Sequence, residues 1–135
     1  MIYKVFQIPF ADQHLSYGEY EKPYLTNIHD VHFNISHSGQ YVACAVADQP
    51  VGIDIQEIIS YRPELAVRVC SEKEISLVAS SYDPSYTFTK IWTQKEAYIK
   101  MTGRGISDSL KSISVMDIPM QSCQWDNVIV TVCCL

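Results

Sequence analysis

Long apolar runs are missing from this chain. Nowhere do about 18 apolar residues follow one another, so the sequence offers no membrane-spanning helix. The amino terminus, Met1 to Pro9, is interrupted by Lys4 and Gln7 and lacks the apolar core of a signal peptide, which sets the expectation of a soluble, cytoplasmic protein with no membrane partner. Positive charge is scarce as well. The 10 Lys and Arg against 15 Asp and Glu give a formal net charge of −5, the reverse of the basic face of a general nucleic-acid binder, and no RNA- or DNA-binding motif occurs. The cysteines Cys44, Cys70, Cys123, Cys133 and Cys134 are odd in number and show no Cys-x-x-Cys spacing, so they are expected to be reduced core residues rather than metal ligands or a disulfide framework. Repeats and low-complexity linkers are absent too. What is present is a 135-residue chain, 47% hydrophobic, of a size for one domain over residues 1–135 with a single core.

The local patterns predict an α+β order. Ile2 to Ile8 reads as a strand, and Ala11 to Asn27 as irregular and polar. Tyr41 to Ala47 has the composition of a buried strand, Asp48-Gln49-Pro50 of a turn and Val51 to Glu57 of a second strand, which predicts that the two pair as a hairpin. Pro63 suits the first turn of a helix reaching about Cys70, and Ser71 with Glu74 forms a capping-box pattern for the next. Asp83-Pro84 opens a long helix that Gly103 closes. Ile113 to Met116 and Val128 to Leu135 are expected as closing strands, connected through Pro119 and the polar Trp125-Asp126-Asn127. Strands and helices do not alternate regularly, which argues against a βαβ fold.

Within this frame some charges stand where apolar residues are expected. Residues two apart on a strand share a face, so Asp54 sits with Gly52 and Gln56 on one side of Val51–Gln56. On the long helix Phe88, Trp92 and Ile99 form the apolar stripe, and Lys95 and Glu96 fall inside its arc. A buried charge is costly unless matched. Plain alternatives exist: Glu96 and Lys100, four apart, suit a surface ion pair, Asp54 could accept backbone hydrogen bonds, and His29, His32 and His37 suit a solvated loop. Taken together, however, two carboxylates on separate elements with lysines nearby suit a hard divalent cation and a phosphorylated ligand.

The segments Val51-Gly52-Ile53-Asp54-Ile55-Gln56 and Phe88 to Lys100 resemble the signature motifs of the 4′-phosphopantetheinyl transferases. Phe33-Asn34-Ile35-Ser36-His37-Ser38-Gly39 resembles the coenzyme-binding motif of the larger, surfactin-synthetase-type class, and Tyr20-Glu21-Lys22-Pro23 its Gly-Lys-Pro element, with Glu21 in place of glycine. The likeness runs from about Tyr20 to Ile106. It implies an antiparallel sheet packed against the long motif helix. It also implies Mg²⁺-dependent transfer of the phosphopantetheine arm of coenzyme A to a serine of an apo acyl or peptidyl carrier protein, releasing 3′,5′-ADP, in fatty-acid, polyketide or nonribosomal-peptide biosynthesis.

By the same resemblance Asp54 and Glu96 are the metal ligands, Glu96 is also the general base, Lys100 pairs with phosphate oxygens, and Lys95 is a second cation for the coenzyme. Gly52 is expected to leave room for the phosphate. Ser36 and His37 match the positions that hold the 3′-phosphate, Lys22 and Pro23 those beside the adenine, and the helix carrying Arg62 and Arg68 matches the carrier-docking region. Two departures stand out. Where the larger class has a second acid this chain has Gln56, followed by Glu57, a pattern closer to the small holo-acyl-carrier-protein-synthase class. By the same resemblance the chain is expected to hold a complete carboxy-terminal unit and a shortened amino-terminal one. These departures motivate an alternative, a relative that binds coenzyme A or a carrier without turnover, and the expectation of a homo-oligomer, dimer or trimer, that completes the site.

Overall fold

Asp83 and Gly103 bracket the longest element of the computed structural model, which describes residues 1–104 and 110–134, the side chain of Tyr3 excepted. The Asp83 carboxylate accepts a hydrogen bond from the Tyr86 N–H at 3.0 Å, Pro84 occupies the first turn, and Gly103 takes a left-handed φ of 66° that lets its N–H reach the Ile99 carbonyl. In chain order the elements are α1 (Ile2–Phe6), β1 (Leu15–Tyr17), β2 (Pro23–Leu25), β3 (His32–Ser38), β4 (Tyr41–Ala47), β5 (Val51–Glu57), α2 (Pro63–Val69), α3 (Glu72–Ser80), α4 (Pro84–Thr102), β6 (Met120–Trp125) and β7 (Val128–Cys134). Ile106 and Leu135, the expected ends of the matching stretch and of the last strand, lie outside the described residues.

β5 does not form a hairpin ladder with β4. It pairs antiparallel with β7 in a sheet of order β5-β7-β6, setting Gly52 opposite Cys133 and Asp54 opposite Thr131, while β4 pairs with β3. The physical reason lies on β3. Asn34, Ser36 and Ser38 share one face of that strand, and their side-chain oxygens accept from the N–H groups of Ile53 at 2.9 Å, Ile55 at 3.4 Å and Glu57 at 3.0 Å. Side chains thus satisfy donors on the edge of β5 where a backbone ladder was expected.

Helix α4 packs across β5 and β7. Gly52 makes this possible, because a Cβ there would overlap the Ala97 carbonyl oxygen and the Met101 nitrogen. The expected role of Gly52 in admitting phosphate is therefore corrected: its missing side chain admits the helix. Behind α4 a core of Ala66, Val69, Cys70, Val78, Phe88, Ile91 and Val115 joins the helices, and the predicted capping box is present, Ser71 Oγ accepting from Glu74 N–H and Glu74 Oε2 from Ser71 N–H.

Other expectations need correction. Residues from Ile2 form the short helix α1, whose Ile2 and Phe6, four apart, turn one face onto Leu25, Val31 and Phe33. The segment Ala11 to Asn27 contains the β1-β2 hairpin. β4 has its expected bounds but is half-exposed: α1 packs on Phe33, beside Val46, at one end of the outer face of the β3-β4 pair, while Val42 at the other end is 73% accessible. Ile113 and Val115 are buried without forming a strand, and the strand β6 begins after Pro119, where Met120 opposes Cys133 on β7. The five cysteines are all free thiols. Only Cys70 and Cys133 are buried, and Cys123 is exposed on β6. Burial, followed by the charge of Glu74, pushes the Cys70 thiol up to about 11, which keeps it protonated and inert.

Candidate active site

Asp54 is carried on β5, 5% exposed, and its Oδ1 receives two donors: Lys100 Nζ from α4 at 2.6 Å and Ser36 Oγ from β3 at 2.9 Å. Lys100 Nζ also donates to Ser36 Oγ at 2.8 Å. Three elements therefore converge on one carboxylate. Burial pushes the Asp54 carboxyl above its ordinary value, an effect that the ion pair with Lys100 and the Ser36 hydroxyl partly offset.

Glu96 is half-buried and one turn before Lys100 on α4, and its carboxylate accepts no hydrogen bond from any described residue. Its carboxyl is raised first by burial and then by the negative charge of Asp54, with Lys100 opposing. Asp54, Glu96 and Lys100 line a cleft of about 280 Å³ together with Ser36, His37, Ile55, Gln56 and Trp92. Six of the predicted or uncertain site residues meet there. Trp92, expected as a core residue, packs on Phe88 at 6.4 Å while also forming a wall of the cleft.

A second cavity of about 190 Å³ lies on the other side of Lys100, lined by Tyr20, Glu21, Lys22, Pro23, Asn34, Ile99 and Gly103 as well. Glu21 has a φ of 56°, the left-handed region that glycine enters without strain, which accounts for the glycine usual at that place in the motif. Lys22 is committed elsewhere. Its ammonium donates to the carbonyls of Lys100 at 2.6 Å, Met101 at 3.0 Å and Val51 at 3.4 Å, capping α4, and burial lowers its pKa.

Lys95 does not reach the cleft. It is fully buried, and its ammonium donates to Glu74 Oε2 at 2.7 Å, the Val69 carbonyl at 2.8 Å and the Leu110 carbonyl at 2.7 Å. The expectation that it serves as a second cation for the coenzyme is overturned, since a lysine pointing to the opposite side of α4 is matched by a glutamate that the sequence presented only as a capping residue. Arg62 and Arg68 are exposed at the two ends of α2. His29 and His32 stay away from the cleft, and among the described residues no group of three His, Cys, Asp or Glu suits a metal.

Sequence reasoning missed the double task of Ser36, which bridges Asp54 and Lys100 while accepting from β5, and the task of Asn34. The alternation of Asn34, Ser36 and Ser38 was the available signal.

The family model for the 4′-phosphopantetheinyl transferase superfamily matches residues 50–129. The chain is similar to the 4′-phosphopantetheinyl transferase Sfp of Bacillus subtilis (strain 168), 41% identical over 117 residues, covering 85% of this chain and 52% of that protein. It is also similar to the L-aminoadipate-semialdehyde dehydrogenase-phosphopantetheinyl transferase of Saccharomyces cerevisiae, 36% identical over 115 residues, covering 77% of this chain and 42% of the other. The chain spans about half the length of the curated relatives it matches. Among solved structures, holo-[acyl-carrier-protein] synthase of Thermotoga maritima matches with a TM-score of 0.54 and 19% identity over 62% of this chain and 60% of that one, a likeness of fold.

Proposed function

The chain belongs to the 4′-phosphopantetheinyl transferase superfamily, and we propose on that footing that it transfers the phosphopantetheine arm of coenzyme A to a serine of an apo acyl or peptidyl carrier protein. The observation that carries the reading is the meeting of Asp54, Glu96 and Lys100, drawn from both signature segments, in one cleft. In the transfer the serine oxygen bonds to the β-phosphorus, the bond to 3′,5′-ADP breaks, and the serine proton leaves through Glu96, whose raised carboxyl makes it a better proton acceptor than an ordinary glutamate. Lys100, movable at the cleft wall, pairs with phosphate oxygens. Ser36 holds the Asp54 carboxylate in place.

The residues fit Mg²⁺. Asp54 and Glu96 offer hard oxygen donors, the Gln56 amide lines the same cleft, and the Lys100 ammonium on Asp54 shows that the site accepts positive charge. Bound there, Mg²⁺ would offset the charge of the pyrophosphate. His37 at the cleft is proposed to meet the 3′-phosphate, and Pro23 with the aliphatic stem of Lys22 to meet the adenine in the second cavity. Arg62 and Arg68 are proposed to dock the carrier. A single domain over 1–135, a cytoplasmic location and a homo-oligomer, dimer or trimer, belong to the same reading. Self-association is supported by the exposed apolar residues Ile35 and Val42, 49% and 73% accessible on the outer face of β3 and β4.

Release of 3′,5′-ADP from coenzyme A, followed by chromatography, tests the reaction. Release should require both Mg²⁺ and an apo carrier, and should stop when the acceptor serine is replaced by alanine. Coenzyme A that binds but yields no 3′,5′-ADP with any apo carrier would instead identify a non-catalytic relative.

A further inference from the structure

The ammonium of Lys100 already occupies an oxygen of the carboxylate proposed to hold the divalent cation. It lies 2.6 Å from Asp54 Oδ1, and a Mg²⁺ on the same oxygen would stand about 2.1 Å from it. Both cations on one carboxylate oxygen would repel at close range in a half-buried site, where a unit charge pair at 4 Å is worth several times its value in water. The charges sharpen the point. Asp54, Glu96 and Lys100 sum to −1, so a divalent cation takes the cluster to +1, whereas without Lys100 the same cation would bring a cluster of −2 to neutrality.

Lys100 is nevertheless free to move. Its side chain is 29% exposed and lines both the cleft and the second cavity, while its backbone is held by the Lys22 ammonium on its carbonyl. A departing Lys100 would leave Ser36 Oγ still bonded to Asp54, so the carboxylate keeps its position when the ammonium goes.

We propose that Lys100 is the residue that orders binding at this site: it is the counter-ion of Asp54 in the free protein, it weakens binding of a divalent cation alone, and it leaves Asp54 when a phosphorylated ligand offers its ammonium a new partner. Metal and phosphate then bind cooperatively because each relieves the cost of the other. The inference rests on the proposed transferase reading, in which Asp54 holds the metal and Lys100 the phosphate.

Binding of Mn²⁺ alone, measured by the electron paramagnetic resonance signal of the free ion, tests it without turnover. The protein, Lys100→Met, Lys100→Gln and Asp54→Asn are titrated with and without 3′,5′-ADP, and their folding is checked by thermal melts. Both Lys100 variants should bind Mn²⁺ alone roughly tenfold more tightly than the unmodified protein or better. 3′,5′-ADP should tighten Mn²⁺ binding to the unmodified protein and tighten it much less in those variants. Folded Lys100 variants that bind Mn²⁺ no more tightly, while Asp54→Asn abolishes binding, would overturn the ordering role and leave the metal assignment standing. Undiminished Mn²⁺ binding by Asp54→Asn would overturn both.

Discussion

Asp54 and Glu96 differ in what holds them. Asp54 is pinned by Lys100 and Ser36, whereas Glu96 faces the cleft with no described hydrogen-bond donor and feels the charge of Asp54. Replacing Asp54 by asparagine removes that negative charge and frees Lys100, and both changes favour ionised Glu96. The Glu96 pKa should therefore fall in Asp54→Asn, read by carboxyl ¹³C NMR titration of the metal-free protein, and an unchanged or higher value would contradict this electrostatic account. Stability depends on the same two shifts. Both folded-state pKa values are raised, so the contribution of these carboxyls is fully present below their ordinary values of 3.8 and 4.5 and is lost as pH rises through the raised ones. At this scale the sequence was legible where residue type stands out from its surroundings: it singled out Asp54, Glu96 and Lys100, and the structure brings the three to one cleft. Lys95 was misplaced because spacing along a helix does not say which of two neighbouring charges turns inward to a partner 21 residues away.

Helix α4 and strand β5 were legible as elements because local signals fix them: Asp83 and Gly103 cap the helix, and alternation marks the strand. Their partners were not. Pairing of β5 with β7 rather than β4 depends on β3 side chains taking over the edge, and residues 113–116 read as a strand because burial alone mimics strand composition. The Lys95-Glu74 pair ties α4 to α3 and, through the Val69 carbonyl, to the end of α2. Breaking it in Lys95→Met leaves a buried carboxylate unmatched and should cost about 3–5 kcal/mol in urea denaturation, much of it recovered in the double variant with Glu74→Leu. A single-variant cost below about 1 kcal/mol would show that the pair is not needed. Gly52→Ala tests the β5-α4 contact. The new methyl meets backbone on α4, so stability should fall by at least about 1–3 kcal/mol, and an unchanged melting temperature would contradict the close approach.

At the scale of the whole molecule, the α+β fold places the candidate site where β5 and α4 meet and leaves Ile35 and Val42 exposed on the outer face of β3 and β4. Self-association through that face predicts that a charge at its centre, Val42→Asp, lowers the light-scattering mass to that of a monomer of 15.4 kDa, while an already monomeric parent protein would refute the oligomer. The transfer itself is proposed for the cleft of Asp54, Glu96 and Lys100. Intact-mass spectrometry of an apo carrier incubated with coenzyme A and Mg²⁺ tests it most directly, with the parent protein, Asp54→Ala and Glu96→Ala run side by side. The parent should add the mass of one phosphopantetheine arm and the two variants almost none. An unmodified carrier with the parent, or equal modification by all three proteins, would contradict the account.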